Sequence, residues 1–157
     1  MSEIKKHLQS DVKAPKGAKI GIVVSNYNHE ITDALLDSCK KELAKRGILA
    51  KNLSSIKVPG AFELPLACQQ MAESKKYDAV IALGCIIKGE TPHFDFIANA
   101  VAHGIMDVSL KYKLSVVFGV LTTENLKQAK DRIKGGTNGD KGVEAALTAL
   151  KMIQIKF

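Results

Sequence analysis

Apolar positions along this chain switch repeatedly between two rhythms. Lys19–Ser25 (KIGIVVS) is nearly continuous and β-branched, the pattern of a strand covered on both faces. From Glu30 to Arg46 the apolar residues Ile31, Leu35, Cys39 and Leu43 recur at four-residue steps, and Gly47 follows, which predicts an amphipathic helix with a glycine stop. Leu53–Val58 predicts a second strand, stopped by Pro59-Gly60. Phe62–Lys75 reads as a helix in which Pro65 falls in the first turn, where a proline is tolerated. Asp78–Ile87 is the most apolar strand. Ile97, Ala98, Val101, Ile105 and Val108 then form one helical stripe starting near Phe94. Ser115–Leu121 predicts a fourth strand, with Thr122-Thr123 expected to cap a short helix carrying Leu126, Ala129 and Ile133. A glycine-rich link from Gly135 to Gly142 leads to a last helix with Val143, Ala146, Leu147, Leu150 and Ile153 on its face.

Strands that alternate with helices imply right-handed crossovers, hence a four-stranded parallel sheet with helices on both faces, a three-layer α/β/α sandwich. No repeat, low-complexity tract or composition break interrupts it, so residues 1–157 are expected to form one domain behind a polar leader, 1–17. Ligands of such sheets sit beyond the carboxyl ends of the strands. That rule places four stretches on one rim: SNYNH (25–29), PGAFE (59–63), KGETPH (88–93) and TTEN (122–125).

Composition narrows the function classes. The apolar runs are strand-sized, so no membrane span is expected, and the leader lacks the apolar core of an export signal, which points to a cytoplasmic protein. Cys39, Cys68 and Cys85 show no metal-ligand or redox spacing and read as reduced core thiols; no metal site is expected. The net charge of +7 is spread over helix faces, and with five phenylalanines, three tyrosines and no tryptophan there is little to stack bases on, so nucleic acid is not the favoured partner.

The rim residues carry the candidate chemistry. With Thr91 as N-cap and Pro92 as first helical residue, the free amides of His93 and Phe94 form an anion site at the positive end of a helix. His93 lies about 90° from the centre of the apolar stripe, at the rim, where a neutral imidazole exchanges protons near neutral pH; a plain cap with a packed histidine is the alternative. His7, in the leader, and His103, opposite the stripe, are weaker candidates, and His29 reads as a possible cap of its own helix. Arg132, one of two arginines, is either a solvated charge or a bidentate phosphate clamp. Tyr27, Phe62 and Phe118 are either packing or a clamp for a flat ring. Glu63 caps its own helix or accepts hydrogen bonds from hydroxyls. The glycine-rich link matches neither GxxxxGK[ST] nor GxGxxG, so a nucleotide or dinucleotide cofactor is unsupported.

These residues, in the order SNYNH, VPGAFELP, IALGCIIKGETPHFDFIA, FGVLTTEN and Arg132…GDKGVEAA, resemble the 6,7-dimethyl-8-ribityllumazine synthase family (the riboflavin synthase beta subunits) from about Lys19 to Ile153. The resemblance implies a flavodoxin-like fold and a transferase of riboflavin biosynthesis. That reaction condenses 5-amino-6-(D-ribitylamino)uracil with 3,4-dihydroxy-2-butanone 4-phosphate: an imine forms, phosphate is eliminated, and ring closure releases water. It implies no cofactor. Position by position, Tyr27 takes the place of the ring-stacking aromatic. Ala61, Phe62 and Glu63 line the pyrimidine and ribityl chain, and Cys85, Ile86 and Ile87 hold the pyrimidine edge through their backbone. Glu90 and Thr91 bind phosphate, and His93 moves protons. Phe118 and Arg132 match residues that the family supplies from a neighbouring subunit, and Lys141 and Glu144 match positions close to the site. The family assembles as pentamers, in some members as twelve of them in an icosahedral shell, and riboflavin synthase is an implied partner. Three positions depart from the family pattern: Tyr27 for phenylalanine, Cys85 for a small aliphatic, and GDKG for GNKG. A non-catalytic flavodoxin-like carrier or shell protein on the same fold is the alternative.

Overall fold

The computed structural model describes residues 12–155. Four strands, β1 (Ile20–Ser25), β2 (Leu53–Val58), β3 (Ala79–Ile87) and β4 (Ser115–Thr123), form one sheet in the order β2-β1-β3-β4, and every pair is parallel. The helices are α1 (His29–Lys45), α2 (Leu64–Glu73), α3 (His93–Tyr112), the short α4 (Leu126–Lys130) and α5 (Lys141–Met152). This is the expected flavodoxin-like α/β/α sandwich.

The continuous apolar runs are explained by cover on both faces. On one face α1 and α5 bring Leu35, Cys39, Leu43, Ala146 and Leu150 against Ile22, Val24, Ile81 and Leu83. On the other, α2 and α3 bring Leu64, Cys68, Val101 and Ile105 against Val23, Val80, Ala82 and Val120. All three cysteines are free and buried, as the sequence predicts. Edge strand β2 is mostly exposed, whereas central β1 is wholly buried.

Several local expectations shift. Thr122 and Thr123 continue β4 instead of capping a helix; the cap of α4 is Asn125, whose side chain accepts from Gln128 N at 2.9 Å. Helix α4 stops at Lys130, so Ile133 and Arg132 lie beyond it. The Phe62 segment opens with a 3-10 turn, Ala61–Glu63, before α2 begins. Helix α3 has Pro92, not Thr91, at its N-cap position, because the Pro92 carbonyl accepts the first helical bond, from Phe96 N at 3.4 Å; Thr91 Oγ1 sits one residue further out, 3.4 Å from His93 N. His29 is the first residue of α1, not its cap, and Asn28 holds that place. His7 and most of the leader lie outside the described residues.

Two glycines are needed where they stand. Gly47 takes φ +105° to end α1. Gly142, at the start of α5, lies so close to α1 that a Cβ there would sit 2.2 Å from Ser38 Oγ and 2.3 Å from the Leu35 carbonyl oxygen. Asp140 caps α5, accepting from Gly142 N and Val143 N, and also accepts from Ser38 Oγ at 2.8 Å. The glycine-rich link is thereby fastened to α1.

Candidate active site

Strands β1 and β3 are neighbours, but the chain leaves them in opposite directions, β1 toward β2 and β3 toward β4. A crevice opens above such a switch point. Here a cavity of about 390 Å³ is lined by the turns after β1, β2 and β3. Backbone bonds build its walls. Asn26 N and Tyr27 N donate to the carbonyls of Val58 and Pro59, at 2.7 and 3.0 Å, which ties the turn after β1 to the end of β2. Lys88 N donates to Thr123 O, carrying the β3–β4 pairing to the rim.

Nine residues expected at a site converge on this cavity: Tyr27, Ala61, Phe62, Glu63, Cys85, Ile86, Ile87, Thr91 and His93. Tyr27 and Phe62 are 72% and 59% exposed, unusually open for aromatics that merely pack, and both face the hollow. Glu63 Oε2 accepts from Gly60 N at 2.9 Å, so its carboxylate closes its own turn while remaining on the cavity wall. His93 is exposed at the first position of α3. Burial pushes the Cys85 thiol up to about 11, so the wall carries a neutral thiol there. Glu90 is exposed on the loop beside the cavity.

Asn28, Gly60, Gly89, Phe94 and Ile97 complete the lining; the sequence assigns Phe94 to the anion site and puts Gly89 on the same rim stretch, but gives Asn28, Gly60 and Ile97 no site role. For Asn28 a signal exists: it stands between the first strand and a helix, in the SNYNH turn, where asparagine tolerates left-handed backbone. It adopts φ 57°, ψ 45°, and its side-chain Nδ2 donates to the Cys85 carbonyl at 2.9 Å.

Phe118, Arg132, Lys141 and Glu144 line a different hollow, over the outer edge of β4. Phe118 is 44% exposed there, Lys141 Nζ and Glu144 pair at 2.6 Å, and Arg132 Nη1 donates to the Gln128 carbonyl at 2.8 Å. The rim cavity therefore has aromatic walls, a carboxylate, a histidine and a helix N-terminus, but no lysine or arginine in its lining among the described residues. No group of histidine, cysteine or acidic side chains among those residues is placed to hold a metal ion.

Fold and cavity together define a class: a doubly wound parallel α/β protein with a small, aromatic-walled cavity at its switch point. Comparison with known proteins narrows this. Residues 17–156 match the family model described as 6,7-dimethyl-8-ribityllumazine synthase. Among similar proteins of that name, one from Cytophaga hutchinsonii is 50% identical over 156 residues, 98% of both chains. One from Protochlamydia amoebophila is 51% identical over 138 residues, 88% of this chain and 80% of its own. One from Parabacteroides distasonis is 46% identical over 134 residues, 85% and 83% of the two chains. The chain belongs to the 6,7-dimethyl-8-ribityllumazine synthase family.

Proposed function

We propose that this chain catalyses the condensation of 5-amino-6-(D-ribitylamino)uracil with 3,4-dihydroxy-2-butanone 4-phosphate to 6,7-dimethyl-8-ribityllumazine. The observation that carries this reading, beside family membership, is the convergence at one switch point of aromatic walls, a carboxylate, strand-end backbone and a histidine at a helix start. In this reading Tyr27 and Phe62 stack on the pyrimidine, whose edge meets the backbone of Cys85, Ile86 and Ile87. Glu63 accepts from ribityl hydroxyls. Glu90 and Thr91 hold the phosphate at the N-terminus of α3, where the helix dipole and free amides favour an anion. His93, beside them, moves protons as the imine forms and phosphate leaves. Holding two reactants together supplies much of the acceleration, because it replaces a bimolecular encounter by an oriented one. The alternative, a non-catalytic carrier or shell protein, is not favoured: His93, Glu63 and Arg132 are all present.

The phosphate dianion needs a cation that the rim cavity does not offer. We propose that Arg132 and Phe118 of one copy complete the cavity of the next, with Lys141 and Glu144 close by, in a homopentamer. The outer face of α3 supports association: Phe96, Asn99, His103, Met106 and Leu110 follow each other at alternating steps of three and four residues, and Phe96 and Leu110 are 73% and 69% exposed. A cytoplasmic location and contact with riboflavin synthase belong to the same proposal; no helix among the described residues is long and apolar enough to cross a membrane.

The direct test mixes purified protein with both substrates and follows the absorbance and fluorescence of the lumazine. Absence of product from a folded, assembled sample would overturn the reading.

A further inference from the structure

We infer that Asn28 is a positioning residue that locks the end of β3 to the turn carrying Tyr27, and so sets the spacing between the ring-stacking wall and the strand-end backbone. Relevance to catalysis rests on the function proposed above; the lock itself does not.

The inference starts from the sheet. Pairing between β1 and β3 ends at Val24 and Leu83, whereas pairing between β3 and β4 continues to Ile87 and Thr123. The last four residues of β3, Gly84–Ile87, therefore extend past β1 with a strand on one side alone. Their β1-facing polar groups need other partners, because buried backbone groups left unpaired are costly. Cys85 is 2% exposed, and its carbonyl receives the Asn28 side chain in place of a strand amide. Beyond the strand ladder, this is the hydrogen bond among the described residues that joins the turn after β1 to β3; the backbone bonds of Asn26 and Tyr27 run the other way, to β2.

Residue type and backbone agree. The left-handed conformation at Asn28 disfavours most side chains, and asparagine accepts it best after glycine. The Asn28 carbonyl accepts from Ile31 N and Thr32 N, at 2.9 and 3.1 Å, so the same residue starts α1. One residue thus joins the turn that presents Tyr27 to the first turn of α1 through its carbonyl and to the far end of β3 through its side chain. The amide is also polar in a fixed sense: Nδ2 must face the Cys85 carbonyl, and an oxygen there would repel it.

The test compares Asn28→Gly with Asn28→Asp in the full chain. Glycine keeps the left-handed backbone and deletes the bond; aspartate keeps backbone tolerance and sets a carboxylate oxygen against the carbonyl. In ligand-free protein, amide hydrogen exchange at Ile86 and Lys88, whose N–H groups face β4, should accelerate about tenfold in both variants, while Ile81 and Ala82 in mid-strand stay as they were. Affinity for added 6,7-dimethyl-8-ribityllumazine should fall about tenfold, with KM for the butanone phosphate changed less than about twofold. Unchanged exchange at the strand end, or acceleration along all of β3, overturns the lock. If exchange changes as expected but even the parent chain makes no lumazine, the lock stands and the proposed activity fails.

Discussion

His93 and Arg132 act differently in the proposed reaction, and kinetics can separate them. His93 lines the rim cavity and is proposed to exchange protons, so His93→Ala should lower kcat about 10²-fold without abolishing turnover, since orientation of the reactants remains. Arg132 lies over the β4 edge and is proposed to grip phosphate, so Arg132→Ala should raise KM for the phosphate substrate about tenfold or more and leave the pyrimidine KM nearly unchanged. Steady-state rates with each substrate varied in turn decide both, and wild-type kinetics in both variants would sink these roles. The residue scale also shows what sequence reasoning reached. Tyr27, Phe62, Glu63 and His93 were legible because strand ends and helix starts place them on the rim before any coordinate is seen. Asn28 was not, because its role depends on a carbonyl 57 residues away, and strand order decides which carbonyl that is.

At the scale of elements, the glycine-rich link shows how a loop becomes a fastener. Asp140 accepts from Ser38 Oγ of α1 at 2.8 Å and from Gly142 N at 3.0 Å, and Gly142 is held so close to α1 that there is no room for a β-carbon at position 142. Gly142→Ala should therefore cost about 3 kcal/mol, since the clash falls partly on backbone of α1 that cannot yield. Asp140→Ala should cost about 1–2 kcal/mol through the lost cap, whereas Asp140→Asn should stay within about 0.5 kcal/mol, because either side chain accepts from the α5 amides. That explains why GDKG can stand for GNKG. Denaturant midpoints of the three variants check this order, and a Gly142→Ala protein as stable as its parent would refute the close approach. The elements themselves were read well from periodicity, while their ends were read less well. Thr122-Thr123 looks like a helix cap in isolation, but pairing with Ile86 and Ile87 draws both threonines into β4. The cap falls to Asn125, two residues on.

The whole molecule carries a pH signature in its core. Burial pushes the thiols of Cys39 and Cys68 up to about 12 from an ordinary 9.0, with the Asp140 carboxylate adding to the effect at Cys39. Both groups favour the protonated form when folded, so their contribution is complete below pH 9 and is lost as pH rises toward the folded values. In that window stability should fall by roughly 3 kcal/mol per pH unit for the two together. The double variant Cys39→Ala/Cys68→Ala should flatten this alkaline limb; equal slopes in urea titrations at pH 8.5, 9.5 and 10.5 would count against it.

The sheet order keeps the two groups of side chains proposed to act in catalysis apart, one above the β1–β3 crevice and one along the free edge of β4. If neighbouring copies share each site, damage to one group and damage to the other become complementary defects. Co-assembled at equal amounts, His93→Ala and Arg132→Ala chains should recreate about a quarter of the sites intact, since each site draws one half at random from either population. Two impaired samples, assayed at low concentrations of the butanone phosphate, would then gain turnover on mixing and reassembly. A bacterium carrying both alleles would then make riboflavin faster than one carrying either alone.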